Sequence, residues 1–243
     1  MDVWNGFACK TITFEEKQAK IVFPQNGTAN GKLMLKTEYW NAFPEAIEIP
    51  LLNKGYHLCF IENQNRWGID DDLDRKARFV RYIQKEYQLN NGCVPIGMSC
   101  GGLIAIKFAA KYPELASCLY LDAPVVNYMS CPCGFGVGQP LAENNDEILK
   151  ALSLNSISEL LAYREMPLDN IPTLVEHEIP ICMVYGDSDL VVPYYENGIW
   201  LQKAYEDKGL PFEVHMKRGC GHHPHGLEDS DSIVRFIEEM TNI

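Results

Sequence analysis

The chain has 243 residues, 47% hydrophobic and 22% charged, a composition that supports one sizeable core and shows no break that demands a second domain. Its formal net charge of −12, with no cluster of Lys and Arg, argues against the basic surface that nucleic acid or an anionic membrane requires, and favours a neutral or small substrate. No apolar run approaches the roughly 20 residues that cross a bilayer. The opening Met1-Asp2-Val3-Trp4-Asn5 lacks a basic-then-apolar leader, and the nine cysteines are odd in number and scattered, so the expectation is a cytoplasmic protein with reduced thiols.

In chain order, residues 20–24 and 32–36 read as extended segments separated by the turn-rich stretch 25–31, and are expected to pair as antiparallel leading strands. A short helix over 45–53, a buried strand over 56–61 and a helix carrying Leu73, Ala77, Val80, Ile83 and Tyr87 follow. The alternation continues through a strand at 93–98, a helix at 101–112 ended by Pro113, and strands at 117–121 and 181–185. A helix over 196–207, a strand over 212–217 and a last helix begun by Ser230 complete the order. Strands alternating with helices predict an α/β architecture, a mostly parallel sheet with helices on both faces. Between Pro124 and Pro180 the pattern breaks into a glycine-rich loop at 133–138 and helical pieces near 147–152 and 157–163. This stretch is expected to form a lid, about residues 125–178, within a single domain spanning 1–243.

Three motifs carry chemistry. Gly97-Met98-Ser99-Cys100-Gly101-Gly102 is a G-x-S-x-G match between a predicted strand and a predicted helix. Glycines two positions either side of the serine let the backbone turn tightly enough to present the hydroxyl. Such a hydroxyl is a weak nucleophile unless an imidazole takes its proton and a carboxylate orients the imidazole. Tyr185-Gly186-Asp187-Ser188-Asp189 supplies two carboxylates past a strand, and Gly219-Cys220-Gly221-His222-His223-Pro224-His225 supplies three imidazoles past the next. The crowding of Cys220, His222, His223 and His225 also suits a metal, but no separated second ligand pair accompanies it, so neither a metal nor a cofactor is expected.

With its elbow at Ser99, its G-x-x-D-x-x-V-P stretch from Gly186 to Pro193 and its G-x-G-H stretch from Gly219 to His222, the chain resembles the α/β hydrolases over roughly residues 20–240. It is also similar to a bacterial esterase-like subgroup with a histidine-rich H-H-P-H segment, here His222 to His225. The resemblance implies Ser99 as nucleophile, Asp189 as acid and His222 as base, with Asp187 and His223 as the rivals. It implies an oxyanion hole from the N–H of Cys100 and of a residue near Glu38, Tyr39 and Trp40, for which Tyr39 is taken, although the H-G-G-G of lipases is missing.

Glu38, Trp40, Asp122 and His223 are the candidate substrate contacts, Asp122 alternatively capping a turn, and Trp67, Phe135 and Tyr194 are further aromatics near the expected pocket. The Cys100 thiol reads as bland, there for its backbone. The resulting expectation is a serine esterase that removes a small acyl group from a carbohydrate or another polar alcohol, without cofactor. An exopeptidase or amidase gripping an amine with Glu38 or Asp122, and a binding protein on the same scaffold, are the competing readings. Oligomeric state is left open.

Overall fold

A computed structural model describes residues 2–242. Nine strands form one sheet: β1 (Asp2–Trp4), β2 (Phe7–Phe14), β3 (Lys17–Val22), β4 (Leu33–Lys36), β5 (His57–Ile61), β6 (Val94–Met98), β7 (Leu119–Asp122), β8 (Ile181–Gly186) and β9 (Phe212–Lys217), ordered β1-β2-β3-β5-β4-β6-β7-β8-β9. The first three are antiparallel to their neighbours, and β5, β4, β6, β7, β8 and β9 run parallel. The class is α/β, as the alternation predicts. The structure differs from the expectation in its first two strands, β1 and β2, which the sequence reading did not include, and in the segment over 32–36, which is not an antiparallel partner of the one before it. As β4 it pairs in parallel with both β5 and β6, since the chain crosses from β4 to β5 through α1 (Glu48–Asn53) and returns in the same direction.

The strands that carry the site are buried on both faces, which is why they read as short continuous apolar runs. Alternate residues feed opposite layers. Leu33, Leu35, Cys59 and Ile61 pack with α2 (Asp70–Tyr87) and α3 (Cys100–Lys111), while Met34, Leu58, Val94 and Ile96 pack with α1 and α8 (Asp231–Met240). Burying α3 within the molecule places the start of that helix, and hence Ser99 before it, at the carboxyl edge of the sheet.

Between β7 and β8 lie α4 (Ala142–Ala151), α5 (Ile157–Ala162) and α6 (Pro167–Glu176). The last of these packs against α3 and α7 (Gly198–Glu206), burying Ile171 and Leu174, so it covers the sheet as an ordinary layer helix. The expected lid over 125–178 therefore divides, and α4 with the loops flanking it is the part that reaches the pocket described below.

At the end of β4, Lys36 and Glu48 form an ion pair with both side chains almost fully buried, and the Lys36 ammonium also donates to Ala42 O at 3.2 Å. Taking two charges out of water is repaid only while both are present. Lys36→Met alone is expected to lower stability by about 3–5 kcal/mol, whereas Lys36→Met with Glu48→Leu returns close to wild type. Urea denaturation midpoints of the single and double variants check this.

Candidate active site

The turn from β6 into α3 places Ser99 at φ 53° and ψ −120°, a conformation that costs a non-glycine residue roughly 1–3 kcal/mol. Neighbouring contacts hold it there. Ser99 N–H donates to Asp122 O at 2.9 Å, and Ser99 O accepts from Gly102 N and Val125 N at 2.9 and 3.1 Å. The Thr37 hydroxyl donates to Gly101 O at 2.7 Å. The glycines are sterically required, since a Cβ on Gly97 would lie 2.3 Å from Gly101 O and one on Gly102 would lie 2.5 Å from Pro124 Cβ.

Past β8, Asp189 turns its carboxylate inward. Oδ1 accepts from Val191 N and Val192 N at 2.8 and 2.9 Å, and Oδ2 meets His222 Nδ1 at 2.8 Å. The opposite nitrogen of that imidazole, Nε2, lies 3.1 Å from Ser99 Oγ. Burial works against the charge on Asp189, but the His222 bond and the two N–H donors outweigh it and hold the carboxyl below its ordinary value of 3.8. The three residues thus form a continuous hydrogen-bonded chain in which a proton can pass from hydroxyl to imidazole while the carboxylate stabilises the resulting cation.

The loops bearing Asp189 and His222 are joined directly. Ser188 N donates to Cys220 O at 2.9 Å, and Asp187 Oδ1 accepts from Gly219 N at 2.7 Å and from the Ser188 hydroxyl at 3.0 Å. Asp187 is therefore occupied in the turn and does not reach the imidazole. Gly186 permits this approach, because a Cβ there would lie 2.3 Å from Cys220 O.

Asp122 is not a substrate contact in this geometry. Its side chain is 1% exposed; Oδ1 bonds His225 Nδ1 at 2.8 Å, and Oδ2 accepts from Gly226 N at 2.5 Å and Tyr120 OH at 3.2 Å. Nor is it simply a turn cap. It anchors the loop that presents His222.

A cavity of about 320 Å³ opens over Ser99. Tyr39, Phe43, Met98, Leu141 and Val191 form its apolar walls, and Arg66, Asn144, His222, His223 and His225 its polar ones. Of the expected contacts, His223 lines it, stacked on Phe43 at 5.7 Å between ring centres. Trp40 does not, because it packs between Trp4 and Phe60, at 4.9 and 5.3 Å, in the core layer. Trp67 is fully buried, Phe135 is 57% exposed and Tyr194 stacks on Tyr185, so none of the three reaches the cavity.

Both expected oxyanion residues line the cavity. Cys100 begins α3, where backbone N–H groups lack intrahelical acceptors. Its thiol is buried and pushed up to about 11, so it stays protonated at neutral pH and is a poor nucleophile. Tyr39, at φ 54°, donates its N–H to Glu38 Oε1 over 3.2 Å, a long bond that a developing oxyanion can replace. Asn63 Nδ2 holds Glu38 from the other side, at Oε2 over 2.5 Å.

Arg66 went unnoticed in the sequence because nothing local marks it. Its loop is shaped by Asp72, whose Oδ2 accepts from Gln64 N at 2.8 Å, and by Asn65 Oδ1, which accepts from Trp67 N at 2.9 Å. The guanidinium reaches across to α4, donating through Nη2 to Asn144 Oδ1 at 2.9 Å and Glu147 Oε2 at 2.6 Å, while its buried Nε has no partner. Burial opposes its charge, and the Glu147 carboxylate more than compensates. Among the described residues no helix is long and apolar enough to cross a membrane.

Comparison with known proteins agrees with this architecture. The prolyl oligopeptidase family matches residues 61–242. Among solved structures, the acylaminoacyl peptidase of Pyrococcus horikoshii superposes with a TM-score of 0.67 at 14% identity, over 89% of this chain and 37% of that one. Est1E from Butyrivibrio proteoclasticus gives 0.69 at 15%, over 97% and 99%. S-formylglutathione hydrolase (FrmB) from Staphylococcus aureus gives 0.67 at 13%, over 97% and 98%. The chain thus spans about two fifths of the length of the peptidase and nearly all of the other two. At these identities the likeness is one of α/β-hydrolase fold. No curated protein matches the chain.

The depressed Asp189 carboxyl ties stability to pH with a definite sign. A folded value below the unfolded 3.8 makes its contribution fully present above that unfolded value and lost as pH falls through the folded one. The stability gap between wild type and Asp189→Asn, read as a difference in urea midpoint, is therefore expected to be widest near neutrality and to narrow below about pH 4.

Proposed function

This chain belongs to the prolyl oligopeptidase family, and from that premise we propose that it is a serine hydrolase acting as a carboxylesterase, cleaving a small acyl group from a carbohydrate or another polar alcohol. The observation that carries this reading is the hydrogen-bonded chain Ser99 Oγ, His222, Asp189 at the base of a cavity of about 320 Å³. That volume suits a short acyl group. The apolar walls accommodate it, and Arg66 and Asn144 supply the few polar groups that orient an oxygen-rich alcohol.

In the first half-reaction His222 Nε2 takes the Ser99 proton as Oγ bonds to the ester carbonyl carbon. The carbonyl electrons move onto oxygen, facing the N–H groups of Cys100 and Tyr39. Collapse of this intermediate expels the alcohol, which receives the proton from His222, and leaves an acyl-serine. In the second half His222 deprotonates water, the water oxygen bonds to the acyl carbon, and Ser99 Oγ leaves and regains the proton. Asp189 orients the imidazole in both halves. Each oxyanion donor of this type contributes about 2.7–4 kcal/mol.

Peptide or amide cleavage is the competing reading, favoured by the family and by the acylaminoacyl peptidase fold likeness. Against it, neither carboxylate that the amine-gripping version relies on lines the cavity, Glu38 being held through Oε2 by Asn63 and Asp122 by His225 and Gly226.

Labelling by a fluorophosphonate probe is expected for wild type and is expected to be lost in Ser99→Ala, with kcat falling about 10⁴–10⁶-fold in Ser99→Ala and His222→Ala. p-Nitrophenyl acetate and butyrate should be cleaved in preference to octanoate and to an aminoacyl p-nitroanilide; preferential cleavage of the anilide would move the assignment to peptidase. Arg66→Met is expected to raise KM for an acetylated sugar about tenfold while changing that for p-nitrophenyl acetate little, as loss of a hydrogen bond to the alcohol portion requires.

A further inference from the structure

The imidazoles of His222, His223 and His225 surround one point of the cavity wall. Each places a ring nitrogen within 4.8 Å of the others'. The ring centres are 4.8, 5.1 and 4.9 Å apart and the planes are steeply inclined, at 64°, 80° and 85°. Three imidazoles that bind one ion at about 2.0–2.1 Å with tetrahedral angles have ring centres about 5 Å apart, so the rings already stand at the separation a shared ion imposes.

Two of the three are further prepared. His222 Nδ1 is held by Asp189 and His225 Nδ1 by Asp122, both carboxylates buried, which leaves Nε2 of each ring for an incoming ligand. A carboxylate behind the imidazole is the usual setting of a metal-bound histidine, fixing the tautomer and raising the basicity of the free nitrogen. His223, the exposed member of the three, stacks its ring on Phe43 at 5.7 Å between ring centres.

From this geometry we infer that the three histidines form a reversible inhibitory site for a borderline divalent cation, zinc in the first instance, with water as the fourth ligand. Imidazole donors favour zinc, copper and nickel over magnesium or calcium. The proton account is simple: zinc takes the Nε2 lone pair of His222 that otherwise accepts from Ser99, Nδ1–H stays on Asp189, and no proton need be lost. The Ser99 hydroxyl then has no acceptor and acylation stops. The cluster that looks like a catalytic-metal site is, on this inference, an off-switch for metal-free chemistry. The inhibition rests on the serine-hydrolase reading; the binding of the ion does not.

Metal-free protein titrated with Zn²⁺ against a chromogenic chelator is expected to take one ion per chain. Fluorophosphonate labelling of Ser99 should slow at least about tenfold when the site is filled and recover on adding EDTA. His223→Ala and His223→Gln, with folding checked by circular dichroism, should each lose about 100-fold or more in zinc affinity, since even a lost partner of a ligand costs 10–100-fold. In both variants the ratio of labelling rates without and with zinc should approach one. Failure of wild type to bind one ion, unchanged affinity in both variants, or full zinc occupancy with an unchanged labelling rate would each overturn the inference. If metal-free wild type does not label at all, the hydrolase reading falls, and the titration still decides whether the site exists.

Discussion

Asp122 contributes its main chain to one member of the site and its side chain to another. Its carbonyl accepts the Ser99 N–H within the strained turn, and its carboxylate holds His225 and Gly226 at the far end of the chain. Because β7 lies beside β6, a single residue at its carboxyl end reaches both the serine turn and the histidine loop. The strain at Ser99 persists because its surroundings over-determine it. His222 follows the same pattern: it stands between a carboxylate that the Val191 and Val192 N–H groups fix and a loop that Asp122 fixes, so the 3.1 Å approach to Ser99 Oγ is set before any substrate arrives. Preorganisation of this kind lets polar groups act without reorganising during a reaction.

The same principle explains why this acidic chain keeps several buried carboxylates near one edge of its sheet. Glu48 answers Lys36, Asp189 answers His222 and two backbone donors, and Asp122 answers His225, Gly226 and Tyr120. Each has at least one oxygen paired, as burial of a charge requires, although Glu48 Oε2 has no partner. The Lys36–Glu48 pair joins the end of β4 to α1, immediately before the Glu38-Tyr39 turn, and lies against Met98 beside Ser99, so it supports the backbone on both sides of the site.

The cavity is bounded on its other side by the insertion. Arg66 from the β5–α2 loop and Asn144 and Glu147 from α4 tie the insertion to the body, closing a space that the sheet alone leaves open. The orphaned Arg66 Nε is the polar vacancy in that wall. In the longer Pyrococcus peptidase the matched fold is a minor part of the chain, whereas in Est1E and the Staphylococcus hydrolase it is nearly all of it. With the insertion in place, this fold lines a cavity of about 320 Å³ with its own residues.

The elbow at Ser99, the acid turn and the histidine run were legible in the sequence because each is local: a tight turn demands glycines at fixed spacing, and the residue at the turn's apex is the one displayed. Most of the strand and helix order from β3 on, α6 apart, was legible for a similar reason, since hydrophobic period and breakers act over a few residues. What tertiary structure alone decided depends on register and on distant approach. The parallel placement of β4 between β5 and β6 came from the crossover, and no period within residues 32–36 encodes it. Trp40, adjacent in sequence to Tyr39, turns away into the core, because successive residues past a strand face different layers. Asp122 and His225 are 103 residues apart and meet only because β7 ends beside the last loop. Arg66 and Phe43 enter the pocket on loops whose course follows from hydrogen bonds to Asp72 and from the stacking of His223. Local spacing determined which groups could do the chemistry, and the folded sheet determined which of their neighbours shape the space around them.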